Sequence, residues 1–485
     1  MACGPYASRV SDADPQAGDP SSAPVTPSAA PVAPELPVAP ELPAVPEPLD
    51  AAEATVPVAG PKRRRVWRWA LPVVVVLLLA GAVPVALVAT GAADAETPAE
   101  AAAPTENPTT VAARQVSERI TAQLDRQATA LLAGDRAGFL AIADRKVHSE
   151  LRRRFAGLQE LRVTRWEGRP NGLPTPAGSP GEWRLSVEFH YCFVVPDCRP
   201  SPLLVNTRWR DGAEPRLIEL AKSTATPQVG GRVRAQAGTL PWEVSKLAAA
   251  VGKRTIVGTT PAYRDRLPEL LRRAEAAARV ADEYVVDGAV PDRYRIFYAG
   301  PKEWQRWYGG DQPEWGAGYA VNVGGGHYDV VLGPDSFNNR AYLDVMLRHE
   351  LVHAVSLPDN SYWDDSVWWL IEGLAEHAGA DGVPVARYDG LIPTRKLVKG
   401  DWNGKLDSLI PAEDASAEEA TGSYGISYLA VRYLLDRFGE RKVLAFVKAV
   451  VHDLRVPRQV SEEVFGKPWG KLQGDCAKYI RRAVG

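Results

Sequence analysis

Two histidines, His349 and His353, restrict the possible folds of this 485-residue chain more strongly than anything else in its sequence. They belong to the segment His-Glu-Leu-Val-His. Residues four apart on a helix differ by about 40° around its axis, so both imidazoles lie on one face. The opposite face carries Leu343, Leu347 and Leu351, an apolar stripe that packs a helix into a core. The sequence therefore predicts a buried helix whose two imidazoles can bind one metal ion.

Glu372 follows His353 after a gap of 18 residues. Asp364 is a suitable N-cap and Gly379 a suitable end for a second helix that carries this glutamate. Two histidines and one glutamate are the ligands of a catalytic zinc ion, which keeps a fourth position open for water. Glu376 shares a face of the second helix with Glu372. We therefore expect Glu376 to accept a hydrogen bond from a ligand imidazole and to fix its tautomer.

The residues around this ligand set resemble the gluzincin clan of zinc metallopeptidases. The segment His-Glu-x-x-His, the gap of 18 residues and Glu372 within Glu-Gly-Leu-Ala-Glu are similar to the aminopeptidase-N-like branch, and the flanking residues are similar to the peptidase-MA-like family. The resemblance implies a thermolysin-like domain with a mixed sheet and a mainly helical C-terminal part. It also implies that His349, His353 and Glu372 bind zinc and that Glu350 is the general base that activates the attacking water.

The same resemblance implies a hydrogen-bond donor for the oxyanion of the tetrahedral intermediate. Tyr424 stands at the expected place, and Tyr428, one helical turn later, is the alternative. The exopeptidase motif G-x-M-E-N of the aminopeptidases is missing ahead of His349, and Val323-Gly-Gly-Gly-His327 stands in its place. This difference favours an endopeptidase. We expect the glycine run to lie beside an edge strand that pairs with substrate backbone. We expect His327 to be structural or to line a substrate pocket.

The run Ala70–Ala89 contains no charged residue and is long enough to cross the roughly 30 Å hydrocarbon core of a membrane as one helix. Lys62–Arg65 precedes it, whereas the residues just after it lack Lys and Arg. The positive-inside rule therefore leaves the N-terminus in the cytoplasm and the rest of this single-pass chain outside the cell. We expect a disordered Pro/Ala-rich tail at 1–61 and an uncleaved transmembrane helix with its basic flank at 62–91. A secretory signal cleaved near Ala92 is the alternative, but its apolar stretch and leader would be unusually long.

Residues 111–222 are predicted to form a small α+β domain, because two helical patterns precede a run of alternating strands. The stretch Leu131–Asp135, with Phe139 downstream, is similar to the start of the NTF2-like (nuclear transport factor 2-like) cone fold. Cys192 and Cys198 flank a predicted hairpin, and in an oxidising compartment they are expected to form a disulfide. Linkers are expected at 92–110 and 221–238, and the peptidase domain is expected at 238–485.

The formal net charge of −2 argues against a nucleic-acid-binding protein, which would carry a basic domain or face. Together the sequence features predict an α+β, membrane-anchored zinc metallopeptidase that acts outside the cell on peptide or protein substrates. The alternative is a non-catalytic surface receptor that keeps zinc for structure, although structural zinc does not need a general base at Glu350. A third interpretation gives the main function to the accessory domain and leaves the peptidase to process its partners.

Overall fold

The computed structural model of this protein describes residues 107–223, 239–287, 290–310, 312, 315–359 and 364–485. The predicted tail at 1–61, the predicted transmembrane segment at 62–91 and nearly all of the two predicted linkers lie outside these residues. Among the residues that the structure describes, no helix combines the length and the apolar character needed to cross a membrane. Helices and strands both build this part of the chain, which confirms the predicted α+β class.

Three helices precede the first sheet in the described chain, where the sequence predicts two. They are α1 (Pro108–Leu132), α2 (Arg136–Ala141) and α3 (His148–Glu160). Helix α1 begins inside the segment predicted as a linker, because the side chain of Asn107 accepts a hydrogen bond from the N–H of Thr109 and Pro108 suits the first helical position. Its residues Ile120 and Leu124 are buried at helical spacing, as predicted.

An antiparallel sheet follows these helices. Its strands are β1 (Val163–Pro170), β2 (Thr175–Pro176), β3 (Glu182–Phe193), β4 (Ser201–Arg210) and β5 (Arg216–Leu220). The strand order is β1-β3-β4-β5, and β2 also pairs with β3. Because side chains alternate across a strand, Leu185, Val187 and Phe189 of β3 share one face and bury in a core with the helices. Cys192 and Cys198 form the predicted disulfide.

A second sheet with short helices around it spans residues 241–332. Its elements are α4 (Pro241–Val244), β6 (Ala248–Val251), β7 (Thr255–Thr259), α5 (Leu267–Ala281), β8 (Tyr294–Tyr298), α6 (Pro301–Trp304), β9 (Gly318–Gly324) and β10 (His327–Leu332). The order is β6-β7-β8-β10-β9, with the three inner strands parallel and the two edge strands antiparallel. The helical spacing of Leu267, Leu270 and Ala274 predicts one long helix over Tyr263–Val285. The α-helix is shorter than that, because 3₁₀ turns replace it at both of its ends.

The C-terminal part of the described chain is mainly helical, as the sequence predicts after Ala341. Its helices are α7 (Arg340–Ser356), α8 (Trp368–Ala380), α9 (Leu391–Lys399), α10 (Ala417–Phe438), α11 (Glu440–Val447), α12 (Pro457–Phe465) and α13 (Trp469–Val484). The side chain of Asn339 starts α7 by accepting a hydrogen bond from the N–H of Ala341, and Ser416 starts α10 in the same way.

The second sheet is buried on both faces. On one face, Ile296 and Val330 join a core that contains α5, α7, α8 and α10. Their neighbours Phe297 and Val331 point to the other face, because side chains alternate along a strand. There they pack in one cluster with residues of the first sheet and its helices, such as Trp166. Helices α1–α3 and the first sheet, together called the N-terminal layer, therefore share a hydrophobic core with the second sheet.

Candidate metal centre

Helix α7 presents His349 and His353 one turn apart on the same face, as the sequence predicts. Their Nε2 atoms lie 3.0 Å apart, and the two ring planes are inclined at 77°. Leu343, Leu347 and Leu351 of the same helix are buried in the core. Because packing holds the helix in place, the two imidazole nitrogens keep a defined separation, which preorganised metal ligation requires.

Glu372 of α8 brings a carboxylate oxygen to the same point. Its Oε2 lies 3.2 Å from Nε2 of His349 and 3.2 Å from Nε2 of His353. All three side chains are at most 1% exposed. Ligand atoms at about 2.0–2.1 Å from a tetrahedral zinc ion stand about 3.4 Å from one another. The triangle of donor atoms therefore has nearly the size and the chemical composition that zinc requires.

The electrostatics of this centre favour a positive charge between the three side chains. Burial acts to lower the pKa of His349, but hydrogen bonds with Glu372 and Glu376 outweigh it and raise that pKa to about 10. Burial acts to raise the pKa of Glu372, but the charge of His353 and hydrogen bonds from both histidines lower that pKa overall. A buried carboxylate needs a positive partner, and a proton on His349 or a divalent cation can provide it. A divalent cation that binds here would therefore take the place of a proton.

Glu376, one turn beyond Glu372 in α8, lies against the other nitrogen of His349. Its Oε1 is 3.1 Å from Nδ1 of His349. A proton on Nδ1 that points to this carboxylate leaves the lone pair on Nε2, which faces the metal position. Tyr388 in turn donates a hydrogen bond of 2.7 Å to Oε2 of Glu376. Tyr388 was not predicted, because it lies between α8 and α9, outside any motif or periodic pattern.

Glu350 follows His349 in α7 and is fully buried, with 0% of its surface exposed. Edge strand β9 passes directly against it, since a Cβ atom at Gly318 would lie 2.6 Å from Oε1 of Glu350. The glycine run that the sequence places beside an edge strand does end β9. However, it forms the turn into β10, where Gly324 has a φ of +76° and packs against Pro202 of β4. The backbone next to Glu350, the predicted general base, therefore belongs to Gly318, which the sequence did not predict.

Tyr424 and Tyr428 lie in the interior of α10 and contact different parts of the centre. The ring centroid of Tyr424 is 6.2 Å from that of His349. Tyr428 instead stacks on Tyr388 with centroids 4.4 Å apart, and its hydroxyl accepts a hydrogen bond from Arg432. Of the two candidates for the oxyanion donor, Tyr424 is thus the one whose ring contacts a metal ligand.

Two tryptophans flank Tyr424 and make this side of the centre apolar. The ring centroid of Trp368 is 5.1 Å from that of Tyr424, and the centroid of Trp315 is 6.3 Å from it. Both tryptophans are less than one-tenth exposed. Trp315 lies just ahead of β9, the strand that borders Glu350, and Trp368 begins α8, the helix that carries Glu372.

His327 lies apart from the three converging ligands. Its Nε2 is 2.8 Å from the carbonyl oxygen of Arg199, in the loop after β3. Burial, assisted by the charge of Arg295, lowers the pKa of His327 to about 3, so the ring is neutral. That His327 is structural or lines a substrate pocket stays a prediction.

The comparisons with known proteins give partial likenesses. No protein-family model matches this sequence, and no curated protein matches it. The structure is similar to native leukotriene A4 hydrolase from Saccharomyces cerevisiae, at 16% identity and a TM-score of 0.28, over 43% of this chain and 33% of that one. A second native structure of the yeast enzyme matches at 12% identity and a TM-score of 0.32, over 63% and 65%. The complex of the yeast enzyme with bestatin matches at 12% identity and a TM-score of 0.33, over 66% of this chain and 60% of that one. This chain thus spans less than two thirds of each hydrolase.

Proposed function

We propose that this protein is a zinc-dependent metallopeptidase. The observation that supports the proposal is the convergence of His349, His353 and Glu372, whose donor atoms are 3.0–3.2 Å apart, beside the buried Glu350. Structural zinc sites are closed by four protein ligands, whereas catalytic sites keep one position for water or substrate. Among the described residues this cluster contains three protein ligands. The ligand number therefore favours the catalytic class.

The residues around the centre can divide the steps of peptide hydrolysis between them. Bound zinc would supply a Lewis acid that polarises the substrate carbonyl and brings the pKa of a water to about 7. Glu350 takes a proton from the attacking water and later gives it to the leaving amine. The hydroxyl of Tyr424 donates a hydrogen bond to the oxyanion that develops on the carbonyl. Glu376 holds the imidazole of His349 in the orientation that binding requires.

We propose that the substrates are peptides or proteins and that cleavage is internal. The exopeptidase motif, which captures a free amine in the aminopeptidases, is missing from the sequence ahead of His349. Strand β9, an edge of the second sheet, lies against the base at Gly318, and an edge strand can hold an extended peptide by backbone pairing. Trp315 and Trp368 favour an apolar side chain close to the bond that is cut.

Digestion of a diverse peptide mixture by the purified protein, read by mass spectrometry, tests this function. We expect internal cleavage that a chelator abolishes and that zinc restores. Peptides with a blocked N-terminus should be cut as well as their free counterparts. A protein that holds zinc and cleaves nothing in a broad library would favour the alternative, a non-catalytic zinc-containing surface receptor. Elemental analysis that finds no first-row metal in carefully prepared protein would exclude the mechanism.

We also propose that one transmembrane helix within 62–91 anchors the protein, with its catalytic part outside the cell. Lys62–Arg65 on one side of the apolar run and the lack of Lys and Arg on the other side support this orientation. A reporter that works only outside the cytoplasm should be active when fused after residue 100 and silent when fused after residue 55. The reverse pattern would contradict the proposed topology.

A further inference from the structure

A second cluster of metal-binding side chains lies where the loop after β3 meets the second sheet. Cys198 of this loop, Asp292 ahead of β8 and His327 at the start of β10 each bring one ligand atom to within 4.8 Å of the others. Cys198 is bonded to Cys192. Because the thiolate is the form of cysteine that binds metals, a disulfide sulfur is a poor ligand. The cluster therefore lacks its third donor while the disulfide is intact.

The imidazole of His327 is oriented for this cluster. Its Nε2 lies 2.8 Å from the carbonyl oxygen of Arg199, which can only accept a hydrogen bond. The proton is therefore on Nε2 and the lone pair on Nδ1. Nδ1 is buried and has no hydrogen-bond partner among the described residues. It lies 3.7 Å from Oδ1 of Asp292, which is too long for a hydrogen bond and close to the separation of two ligands on one ion.

Two of the neighbouring cations, Arg199 and Arg295, are paired with another carboxylate. Arg199 forms an ion pair of 2.7 Å with Asp359. The guanidinium of Arg295 lies 3.9 Å from Asp329 and packs over the ring of Phe193. The carboxylate of Asp292 and a thiolate at Cys198 would together carry two negative charges, which match a divalent cation. A soft sulfur ligand beside an imidazole further favours zinc over magnesium or calcium.

We propose that Cys198, Asp292 and His327 form a second metal site that opens when the Cys192–Cys198 disulfide is reduced, and that it binds zinc or a similar divalent cation. A dithiol reductant supplies two electrons and two protons, so the disulfide becomes two thiols and the dithiol becomes a disulfide. Cys198 then releases its thiol proton to solvent as its sulfur binds the cation. The bound ion would join the loop after β3 to the second sheet, whereas the disulfide joins two residues of the N-terminal layer only.

Cobalt titration of the full-length protein tests this site, because cobalt replaces zinc in such sites and a thiolate ligand gives it a strong charge-transfer absorption band. Oxidised wild type should bind one equivalent, at the centre between α7 and α8, without that band. Protein reduced with dithiothreitol, which is then removed without air, should bind a second equivalent with the band. Cys192→Ser leaves Cys198 as a thiol without any reductant, so it should behave like the reduced wild type.

Matched variants separate this site from the proposed catalytic centre. Adding His327→Asn to Cys192→Ser should remove the second equivalent, whereas adding His353→Ala should remove the first and keep the second with its band. Cys476 is a free thiol in every arm, so it controls for binding at an unrelated cysteine. A single equivalent without the band in both reduced wild type and Cys192→Ser would overturn the proposal. So would a second equivalent that survives His327→Asn. If Cys192→Ser fails to fold, the reduced wild type still decides.

Discussion

Glu350 and Glu372 carry the same side chain and are both fully buried, yet they have different neighbours. Oε2 of Glu372 lies 3.2 Å from Nε2 of both histidines. Glu350 follows His349 in the helix and therefore projects about 100° away from it. Its carboxylate borders Gly318 of β9, so it can reach a water or a substrate beside the metal position without being a ligand.

Glu350→Gln should keep the metal and lose the activity. The amide preserves the size of the side chain but cannot take up the proton of the attacking water. General acid–base groups contribute roughly 10²–10⁴-fold, and a residue that serves both proton transfers should cost about the upper end of that range in kcat. Glu372→Ala is the matched control, a buried glutamate whose loss should empty the metal centre. Cleavage by Glu350→Gln at the wild-type rate, with wild-type metal content, would show that another residue is the base.

Tyr388→Phe should weaken metal binding although Tyr388 does not contact the metal. The change removes the 2.7 Å hydrogen bond to Glu376, and the carboxylate that orients His349 is then held less firmly. Loss of such outer partners lowers metal affinity by about 10–100-fold, and we expect the lower end here because Glu376 itself remains. Competition with a chelator of known affinity measures the dissociation constant. Tyr433→Phe, in α10, is the matched control and should leave it unchanged. An unaltered zinc affinity in Tyr388→Phe would exclude the positioning role.

The convergence of the three side chains at the centre could be predicted from the sequence, because metal chemistry restricts the residue types and helices restrict their spacing. His349, His353 and Glu372 converge as this reasoning requires. Tyr388 and Gly318 could not be predicted in the same way. Their contacts with Glu376 and Glu350 come from a loop and from a strand that pack against the helices. No local pattern encodes such tertiary contacts.

Helices α8 and α10 cross at a close contact that positions Glu372 and Tyr424 relative to each other. Gly373 forms the contact, because a Cβ atom there would lie 2.3 Å from the carbonyl oxygen of Ser427 and 2.6 Å from Cγ2 of Val431. The backbone oxygen cannot move without the helix. The absence of a side chain at Gly373 therefore sets how closely the two helices approach.

Gly373→Ala should lower both stability and metal affinity. The added methyl group has to push α8 away from α10, and overpacking of this kind costs about 1–3 kcal/mol. Chemical denaturation and zinc competition measure the two effects. Gly474→Ala is the matched control, because Gly474 lies inside α13 with no atom within 4 Å of the added Cβ. It should stabilise the protein by roughly 0.5–1 kcal/mol. Equal behaviour of the two variants would contradict the role of the α8–α10 contact.

Many of the elements that the sequence predicted have a long or regular pattern. Alternating residues marked β3 and β4, and helical spacing marked α1, α5 and α7. The short strand β6 (Ala248–Val251) was missed, because four small or branched apolar residues carry no period that distinguishes strand from helix. Helix α3 (His148–Glu160) was missed as well. Its run of arginines makes the helical spacing of the buried residues Leu151, Phe155 and Leu158 difficult to recognise in the sequence.

At the scale of the whole molecule, the N-terminal layer covers one face of the sheet that supports the centre. Trp242 of α4 packs edge-on against Trp166 of β1 and Tyr191 of β3, with centroids 5.8 Å and 6.0 Å apart. Phe297 and Val331 of the second sheet bury in the same cluster. The sequence predicts separate domains at 111–222 and 238–485, and that division stays a prediction. Their common core argues that the second segment depends on the first.

Residues 238–485 expressed alone should therefore fail to form a stable metal-binding fold. Without the N-terminal layer, the face of the sheet that carries Phe297 and Val331 becomes exposed, and exposed apolar patches of this kind drive aggregation. Residues 107–485 should instead unfold in one cooperative transition, because the unfolding of either segment would expose the core that they share. Calorimetry and binding of a hydrophobic dye compare the two proteins at equal concentration. If 238–485 is monomeric, melts cooperatively and binds zinc as tightly as 107–485, the shared core is dispensable and the two segments are independent domains.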